Sequence, residues 1–128
     1  MAHLIKGRVL CVEGNKDVCE MLTALLELAG FKVVSADSIT QVLNLVKSDQ
    51  FDLYILNDSI MDGNSVELCK KIRSFDQNTP VLFYSSSARF ADKEAAIGAG
   101  AQAFVAKPDY HNELEPTIFR LIDQTRSI

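Results

Sequence analysis

Short apolar runs alternate along the chain with stretches of helical apolar periodicity. Each run is nearly continuous in apolar side chains, which is typical of a parallel strand buried on both faces. The runs predict five strands at RVLCV (8–12), FKVVSA (31–36), DLYIL (52–56), VLFYS (81–85) and AFVA (103–106). After each run, apolar residues recur at spacings of three and four, so the pattern predicts five helices.

Residues that favour helix ends mark the boundaries of these stretches. Ser38 and Gln41 form a capping box that opens the second helix. The third helix is expected to begin near 64–65, and a weak, alanine-rich fourth helix covers 92–101. The last helix tolerates Pro116 only in its first turn.

Five strands that alternate with five helices through short connections specify an α/β fold. We expect right-handed crossovers and a single doubly wound parallel sheet covered on both faces. No linker, repeat or low-complexity tract interrupts the pattern, so we expect one domain over 1–128, with its core at about 8–125. In such a sheet, ligands bind beyond the carboxyl ends of the strands. The segments to inspect are therefore 13–16, 57–63, 85–90 and 107–109.

Composition narrows the classes of function. The chain has 128 residues, of which 48% are apolar and 23% charged, and its net charge is −4. A negative chain with no basic cluster beyond 70–73 is not expected to bind nucleic acid. No apolar run approaches the length of a membrane span, and the N-terminus lacks a signal peptide's apolar core. We therefore expect a soluble domain that contacts neither nucleic acid nor membrane.

The cysteines and histidines show no spacing typical of a metal or redox centre. Cys11, Cys19 and Cys69 are odd in number, lack CxxC spacing and have no nearby histidine. We expect reduced, buried thiols in a cytoplasmic protein. His3 and His111 are isolated and are expected at the surface.

The strand ends, in this order, resemble the receiver domain of two-component response regulators. The resemblance runs from about Arg8 to Ile122 and is carried by FDLYIL, TPVLFYSS, AGAQAFVAKP and NELEPTIFRLI. A Lys-Pro dipeptide after a short fifth strand, preceded by an Ala-Gly-Ala turn, is its more specific part. The resemblance implies a flavodoxin-like fold with strand order 2-1-3-4-5.

In receivers, an aspartate that ends strand 3 takes a phosphoryl group from a histidine kinase. Two acids after strand 1 join it in holding Mg²⁺, because a carboxylate attacks a polyanion poorly unless a cation neutralises the transition state. A Ser or Thr and a Lys contact the phosphoryl oxygens. The resemblance assigns these contacts to Ser85 and Lys107, which Pro108 follows, and places Phe104 at the family's aromatic switch position.

The acidic half of the family's site is altered in this chain. Glu13 takes the position of the first acid, Gly14 that of the second, and Asn57 that of the phosphoacceptor. Met61 and Ser65 replace a usual proline and a usual glycine in the loop that follows. The amide nitrogen of an asparagine is delocalised into its carbonyl, so it cannot form an acyl phosphate.

Charge supports the same interpretation. A working receiver pocket has three carboxylates and one lysine, whereas here Glu13 and Lys107 can neutralise each other directly. Little charge is then left to strip the waters from Mg²⁺. We therefore expect no catalytic residue, no metal and no cofactor. If the site is active, Mg²⁺ is the cofactor and Glu13 its ligand.

Asp58 is an alternative phosphoacceptor. Successive strand residues project to opposite faces, so if Asn57 faces the site, Asp58 faces away. A slip of one residue would bring Asp58 into the site, at reduced cost because this strand is apolar on both faces. A deliberate substitution at Asn57 is another alternative, but Gly14 and Met61 also depart from the family, and natural divergence explains all three.

Three functions are compatible with these residues. The favoured one is a signalling module that docks a protein partner without being switched by aspartyl phosphate. The second is a working Mg²⁺-dependent phosphoacceptor that uses Asp58, with Glu13 assisting. The third is a nucleotide- or flavin-binding protein of the same fold, although the segment after strand 1 lacks a phosphate cradle rich in Gly, Ser or Thr.

The resemblance also implies a surface for partners. Receivers usually dimerise or bind partners through helix 4, strand 5 and helix 5, where this chain has Phe90 and Phe104. The expected partner is a sensor kinase, an output domain or another receiver, and a homodimer is one such assembly.

Overall fold

Five strands, each followed by a helix, make up the computed structural model, which describes residues 5–126; His3 lies outside the described residues. The strands are β1 (Gly7–Val12), β2 (Phe31–Ala36), β3 (Leu53–Asn57), β4 (Val81–Ser85) and β5 (Ala103–Ala106). The helices are α1 (Lys16–Leu28), α2 (Ile39–Ser48), α3 (Ser65–Arg73), α4 (Phe90–Gly98) and α5 (Glu115–Arg126), with a π-helical turn (Tyr110–Leu114) before α5.

The strands form one parallel sheet in the order β2-β1-β3-β4-β5. This order confirms the doubly wound, flavodoxin-like α/β fold. The chain leaves β1 toward β2 on one side and returns to β3 on the other side of β1. The ends of β1 and β3 therefore flank the topological switch point, where ligands of such sheets bind.

The sheet has a separate apolar core on each face, because alternate strand residues point in opposite directions. In β1, Val9 and Cys11 belong to the core shared with α1 and α5, whereas Leu10 and Val12 belong to the core shared with α2, α3 and α4. All four side chains are fully buried. Every residue of β3 and β4 is buried as well, so the strand ends that carry the candidate site are held firmly.

Polar side chains cap the helices that begin near the site. Ser38 Oγ accepts a hydrogen bond from the Gln41 amide at 3.1 Å, which is the predicted cap of α2. The Gln41 side chain in turn accepts from the Asp37 amide, rather than from Ser38, at 2.9 Å. Asn64 caps α3 and accepts from Glu67 at 2.8 Å. The start of α3 near 64–65 is thus confirmed, and its cap fixes where the loop after β3 ends.

Two helix boundaries differ from prediction. The helix α4 begins at Phe90 and ends at Gly98, so it starts and stops earlier than 92–101. The π-helical turn before α5 was not predicted. Pro116 accounts for this turn, because its nitrogen cannot donate to the carbonyl four residues back and its ring crowds that carbonyl, which a wider turn relieves. Within residues 5–126, no helix is long and apolar enough to cross a membrane.

Candidate functional site

Four strand ends bring the candidate residues to one edge of the sheet. Glu13 follows β1, Asn57 ends β3, Ser85 ends β4 and Lys107 follows β5. The Lys107 amide donates to the Ser85 carbonyl at 2.6 Å, and the Lys107 ammonium lies 4.0 Å from a Glu13 carboxylate oxygen. Residues that are distant in sequence therefore form one cluster, at the position predicted from the parallel sheet.

Asn57 is the most deeply buried polar residue of this cluster, with 1% of its surface exposed. Its Nδ2 group donates to the Val12 carbonyl at 2.9 Å and lies 3.8 Å from Cys11 Sγ. The hydroxyl of Ser65, the residue that replaces the family's usual glycine, donates to the Asn57 main-chain carbonyl. An ionised aspartate has no hydrogen to donate to Val12, so this position suits an amide.

The ammonium group of Lys107 has two carboxylate partners. Its Nζ atom lies 4.0 Å from Glu13 Oε1 and 4.0 Å from Asp58 Oδ2, and it sits 5.4 Å from the centre of the Tyr84 ring. The side chain of Glu13 is 2% exposed, whereas that of Asp58 is 39% exposed. The predicted pairing of Glu13 with Lys107 is therefore present, and Asp58 adds a second negative charge.

The two carboxyl groups differ in acidity. Burial raises the pKa of Glu13 above its usual value, and the attraction of Lys107 offsets this only in part. Burial acts in the same direction on Asp58, but hydrogen bonds from Ser86 and Ser85, together with the charge of Lys107, outweigh it and lower the pKa of Asp58. Asp58 is thus the stronger acid of the pair that faces Lys107.

The direction of Asp58 corrects the argument from strand alternation. That argument placed Asp58 on the face opposite Asn57. Its carboxylate instead accepts from the Ser86 amide at 2.6 Å and the Ser86 hydroxyl at 2.7 Å, and it faces Lys107. The prediction was wrong because β3 ends at Asn57, and alternation does not extend past the end of a strand. The run of serines at 85–87, which begins at the last residue of β4, was the sequence signal for a hydrogen-bonding partner.

Gly14 is packed closely against the loop that follows β3. Its amide donates to the Ser59 carbonyl at 2.5 Å. A Cβ atom at Gly14 would lie 3.0 Å from both the carbonyl oxygen and the hydroxyl oxygen of Ser59, closer than such contacts normally are. The space into which the family's second acid would project is therefore taken up by Ser59. Sequence patterns did not single out Ser59.

The remaining candidates lie on the β4–β5 side of the site. Ser85 is buried, and its hydroxyl accepts from the Ser87 amide at 3.0 Å. The peptide bond from Lys107 to Pro108 is cis. Phe104 is half-buried and stacks on Phe83, with ring centres 6.4 Å apart.

A groove of about 250 Å³ runs between α4, β5 and α5, and Phe104 is one of the residues that line it. Phe90, at the start of α4, is 73% exposed, and Ile97, which lines the groove, is 45% exposed. This face presents apolar side chains to solvent.

Comparison with known families now decides the identity of the fold. A model of the response regulator receiver domain matches residues 9–119. The chain belongs to this family. As a receiver domain it is a component of two-component signal transduction, which confirms the expected family and sets aside the nucleotide- or flavin-binding alternative.

Individual relatives agree with the family match. The uncharacterized transcriptional regulatory protein YrkP of Bacillus subtilis is 36% identical over 93% of this chain and 49% of its own length. The non-phosphorylated HemR receiver domain of Leptospira biflexa is 30% identical with a TM-score of 0.81, over 91% of this chain and 94% of that one. A two-component response regulator from Clostridium difficile, 24% identical, has the same fold with a TM-score of 0.86, over 93% and 98% of the two chains. The chain spans about half the length of the curated relatives it matches.

Proposed function

We propose that this receiver domain is a protein-interaction module that works without aspartyl phosphate. The proposal rests on the burial and hydrogen bonding of Asn57, which takes the position of the family's phosphoacceptor. Its amide is buried and donates to the Val12 carbonyl at 2.9 Å. A neutral, delocalised amide that is held as a hydrogen-bond donor does not attack phosphorus.

The oxygen donors at the site support the same proposal, because they do not suit Mg²⁺. Among the described residues, Glu13 Oε2 and Asn57 Oδ1 are buried oxygens without a hydrogen-bond partner. The charges of Glu13 and Asp58 are both directed at Lys107, and Asn57 and Gly14 add none. Mg²⁺ needs six oxygens and enough negative charge to release its waters. Weak Mg²⁺ binding and no resident cofactor are therefore expected.

The position of Asp58 favours one second candidate, a phosphoacceptor that uses Asp58 in place of Asn57. Its carboxylate is partly exposed and lies beside Lys107 and Ser86. However, the same oxygen, Oδ2, accepts both Ser86 hydrogen bonds and faces the ammonium group. These interactions stabilise the charge on that oxygen and lower its nucleophilicity.

A protein partner is proposed to bind the face formed by α4, β5 and α5. The support is the exposure of Phe90, at the start of α4, and of Ile97, which lines the groove together with Phe104. A sensor kinase, an output domain or another receiver would bury these side chains and gain the free energy of removing them from water. A second copy of the chain is one such partner.

Phosphoryl uptake is the first test. The protein is incubated with Mg²⁺ and acetyl phosphate for intact-mass analysis, and with Mg²⁺ and beryllofluoride for amide spectra. No phosphoryl adduct is expected, and no shifts clustered at residues 57, 85 and 107. The single variant Asn57→Asp is expected to recover little Mg²⁺ affinity, because Gly14 still lacks a carboxylate. A phosphoryl adduct that disappears in Asp58→Asn would establish the second candidate instead.

Self-association measured by sedimentation tests the proposed surface. Phe90→Lys is expected to weaken any dimer, because it replaces an exposed apolar side chain at the start of α4 with a charge. Phe75→Lys is the matched control, since Phe75 is 51% exposed and lies beyond α3, away from that face. Equal weakening by the two variants would contradict the assignment of this surface.

A further inference from the structure

An open groove of about 370 Å³ lies between the first turns of α1 and the carboxyl end of β2, next to the candidate site. Glu13 lies at its floor, and exposed side chains that include Lys16 and Asp37 form its rim. Cys19 also lines the groove and is partly exposed, so the expectation that all three thiols are buried is wrong for this residue. The groove is a cavity that the proposed function does not use.

Glu13 brings a buried carboxylate into the lining of this groove. Its side chain is 2% exposed, and its Oε1 atom lies 4.0 Å from Lys107 Nζ, which does not line the groove. Its Oε2 atom is buried and accepts no hydrogen bond from residues 5–126. A buried acceptor without a donor is costly. The oxygen that is not paired with Lys107 is therefore available to a ligand that carries an N–H group.

The groove has an excess of negative charge. Three carboxylates and one ammonium group line it, those of Glu13, Glu20, Asp37 and Lys16. Lys16 lies 4.0 Å from Glu20, and Lys107, behind the floor, is shared between Glu13 and Asp58. Four carboxylates thus share two ammonium groups, and the positive end of the α1 dipole offsets only part of the remaining charge. Such a cleft attracts cations.

The lining suits an organic cation better than a metal ion. Among the described residues, no three side chains of His, Cys, Asp or Glu are placed to hold one metal ion. A metal ion needs several oxygen ligands at once, whereas an ammonium group has three N–H donors and is bound by a single carboxylate. The uncharged part of the lining, which includes Gly14, Cys19 and Ala36, offers surface to methylene groups. The volume is in the range of pockets that hold small organic molecules.

From these observations we propose that the groove binds a small aliphatic diamine, with one ammonium group at Glu13 Oε2 and the other at Asp37. Asp37 is exposed and has no ion-pair partner in the described part of the chain. The methylene chain of the ligand lies along Cys19 and Ala36. Because Oε2 is covered, entry requires a side chain at the rim to change rotamer, which costs the exposed Lys16 little. The bound dication supplies Oε2 with a donor and balances the two excess negative charges.

Titration with 1,4-diaminobutane, followed by amide spectra at constant ionic strength, tests the proposal. Shifts are expected to saturate and to cluster at residues 13–20 and 35–41. Butylamine has one ammonium group and should bind at least about tenfold more weakly than the diamine. The neutral analogue 1,4-butanediol should cause no shifts. Displacement of the diamine by equimolar Mg²⁺ would assign the groove to a metal instead and overturn the proposal.

Three variants separate a specific site from general attraction of cations. Asp37→Asn, at the exposed rim, should weaken diamine binding about tenfold and leave butylamine binding nearly unchanged, since only the second ammonium group contacts this residue. Glu13→Gln should weaken the binding of both amines. Because Glu13 is buried, the folding of that variant is checked by a thermal melt, and Asp37→Asn decides the matter if it fails.

Glu94→Gln removes an exposed charge from α4 and is the matched control for net charge, so it should leave the affinity for the diamine unchanged. Equal losses in Glu94→Gln and Asp37→Asn would overturn the proposal. Equal affinities for the diamine and butylamine, or shifts spread over the whole surface, would overturn it as well.

Discussion

The two halves of the sheet's carboxyl edge carry different chemistry. At β4 and β5, Ser85 and Lys107 supply a hydroxyl and an ammonium group, which under the proposed function correspond to a receiver's phosphate contacts. At β1 and β3, Gly14 and Asn57 provide no carboxylate, and each has contacts of its own: Ser59 packs on Gly14, and the Asn57 amide donates to a strand carbonyl.

The difference teaches how a partly buried cation is balanced where Gly14 and Asn57 offer it no carboxylate. The Lys107 ammonium still needs negative charge, and it finds Glu13 on one side and Asp58 on the other. The stability of the β4–β5 half thus depends on the charge balance between Lys107 and two carboxylates. At Gly14 and Asn57, in the β1–β3 half, stability depends on close packing and neutral hydrogen bonds. Variants on each half should therefore respond differently to pH.

Removal of Lys107 should have the largest effect. Lys107→Ala leaves the buried Glu13 carboxylate without its counter-charge, and we expect a loss of roughly 2 kcal/mol in the free energy of unfolding at neutral pH. Urea denaturation measures the loss. The double variant Lys107→Ala/Glu13→Gln should recover most of it, because no unpaired charge is then buried. Equal losses in the single and double variants would show that Lys107 contributes packing rather than charge balance.

The next largest effect is expected for Asn57→Asp. An ionised carboxylate cannot donate to Val12 and is buried beside its carbonyl, so we expect a loss of about 1–2 kcal/mol at neutral pH. The introduced acid should have a raised pKa, so the loss should be small in acid and should grow as pH rises through that pKa. Asn64→Asp is the matched control, since Asp also caps helices well. Recovery of the lost stability by millimolar Mg²⁺ would contradict the proposed absence of a metal site.

Gly14→Ala should have a smaller effect. The added methyl group must displace the Ser59 carbonyl, to which Gly14 itself donates, and we expect a cost of about 1 kcal/mol. Gly98→Ala is the matched control: nothing lies within 4 Å of its Cβ position at the end of α4, so alanine there should be neutral or slightly stabilising. Thermal melts of the two variants make the comparison. The opposite order of stabilities would rule out close packing at Gly14.

Asp58→Asn should have the smallest effect, below about 1 kcal/mol, because this carboxylate is partly exposed. Its pKa is lowered in the folded state, so the stability it contributes is present above the unfolded-state pKa and is lost as pH falls through the folded-state pKa. The difference in the free energy of unfolding between Asp58→Asn and the unaltered chain should therefore be measurable at neutral pH and vanish in acid. Glu94→Gln, which removes a charge from the exposed face of α4, controls for net charge. A difference that persists in acid would point to lost hydrogen-bond geometry instead.

Sequence patterns predicted the strands, the Ser38 cap, the start of α3 and the Glu13–Lys107 pair. The strands and the pair were predictable because buried parallel strands are continuously apolar and their carboxyl ends meet at one edge. They could not predict that the Asp58 side chain faces Lys107. An uncertainty of one residue in where β3 ends decides whether strand alternation applies to Asp58 at all. The expectation that all three thiols are buried was wrong for Cys19, whose partial exposure depends on how α1 packs on β1 rather than on spacing along the chain. The proximity of Ser59 to Gly14 likewise follows from the path of a loop.

Under the proposed function, the contact between Gly14 and Ser59 decides which substitution would have to come first for the site to accept phosphate. A carboxylate introduced at position 14 meets Ser59 before any metal can bind, and one introduced at position 57 meets the Val12 carbonyl with no metal to balance it. We expect either change alone to lower stability without creating a phosphate-accepting site. Under the proposed function, a phosphate-accepting site would therefore first require a change in the loop after β3, at Ser59.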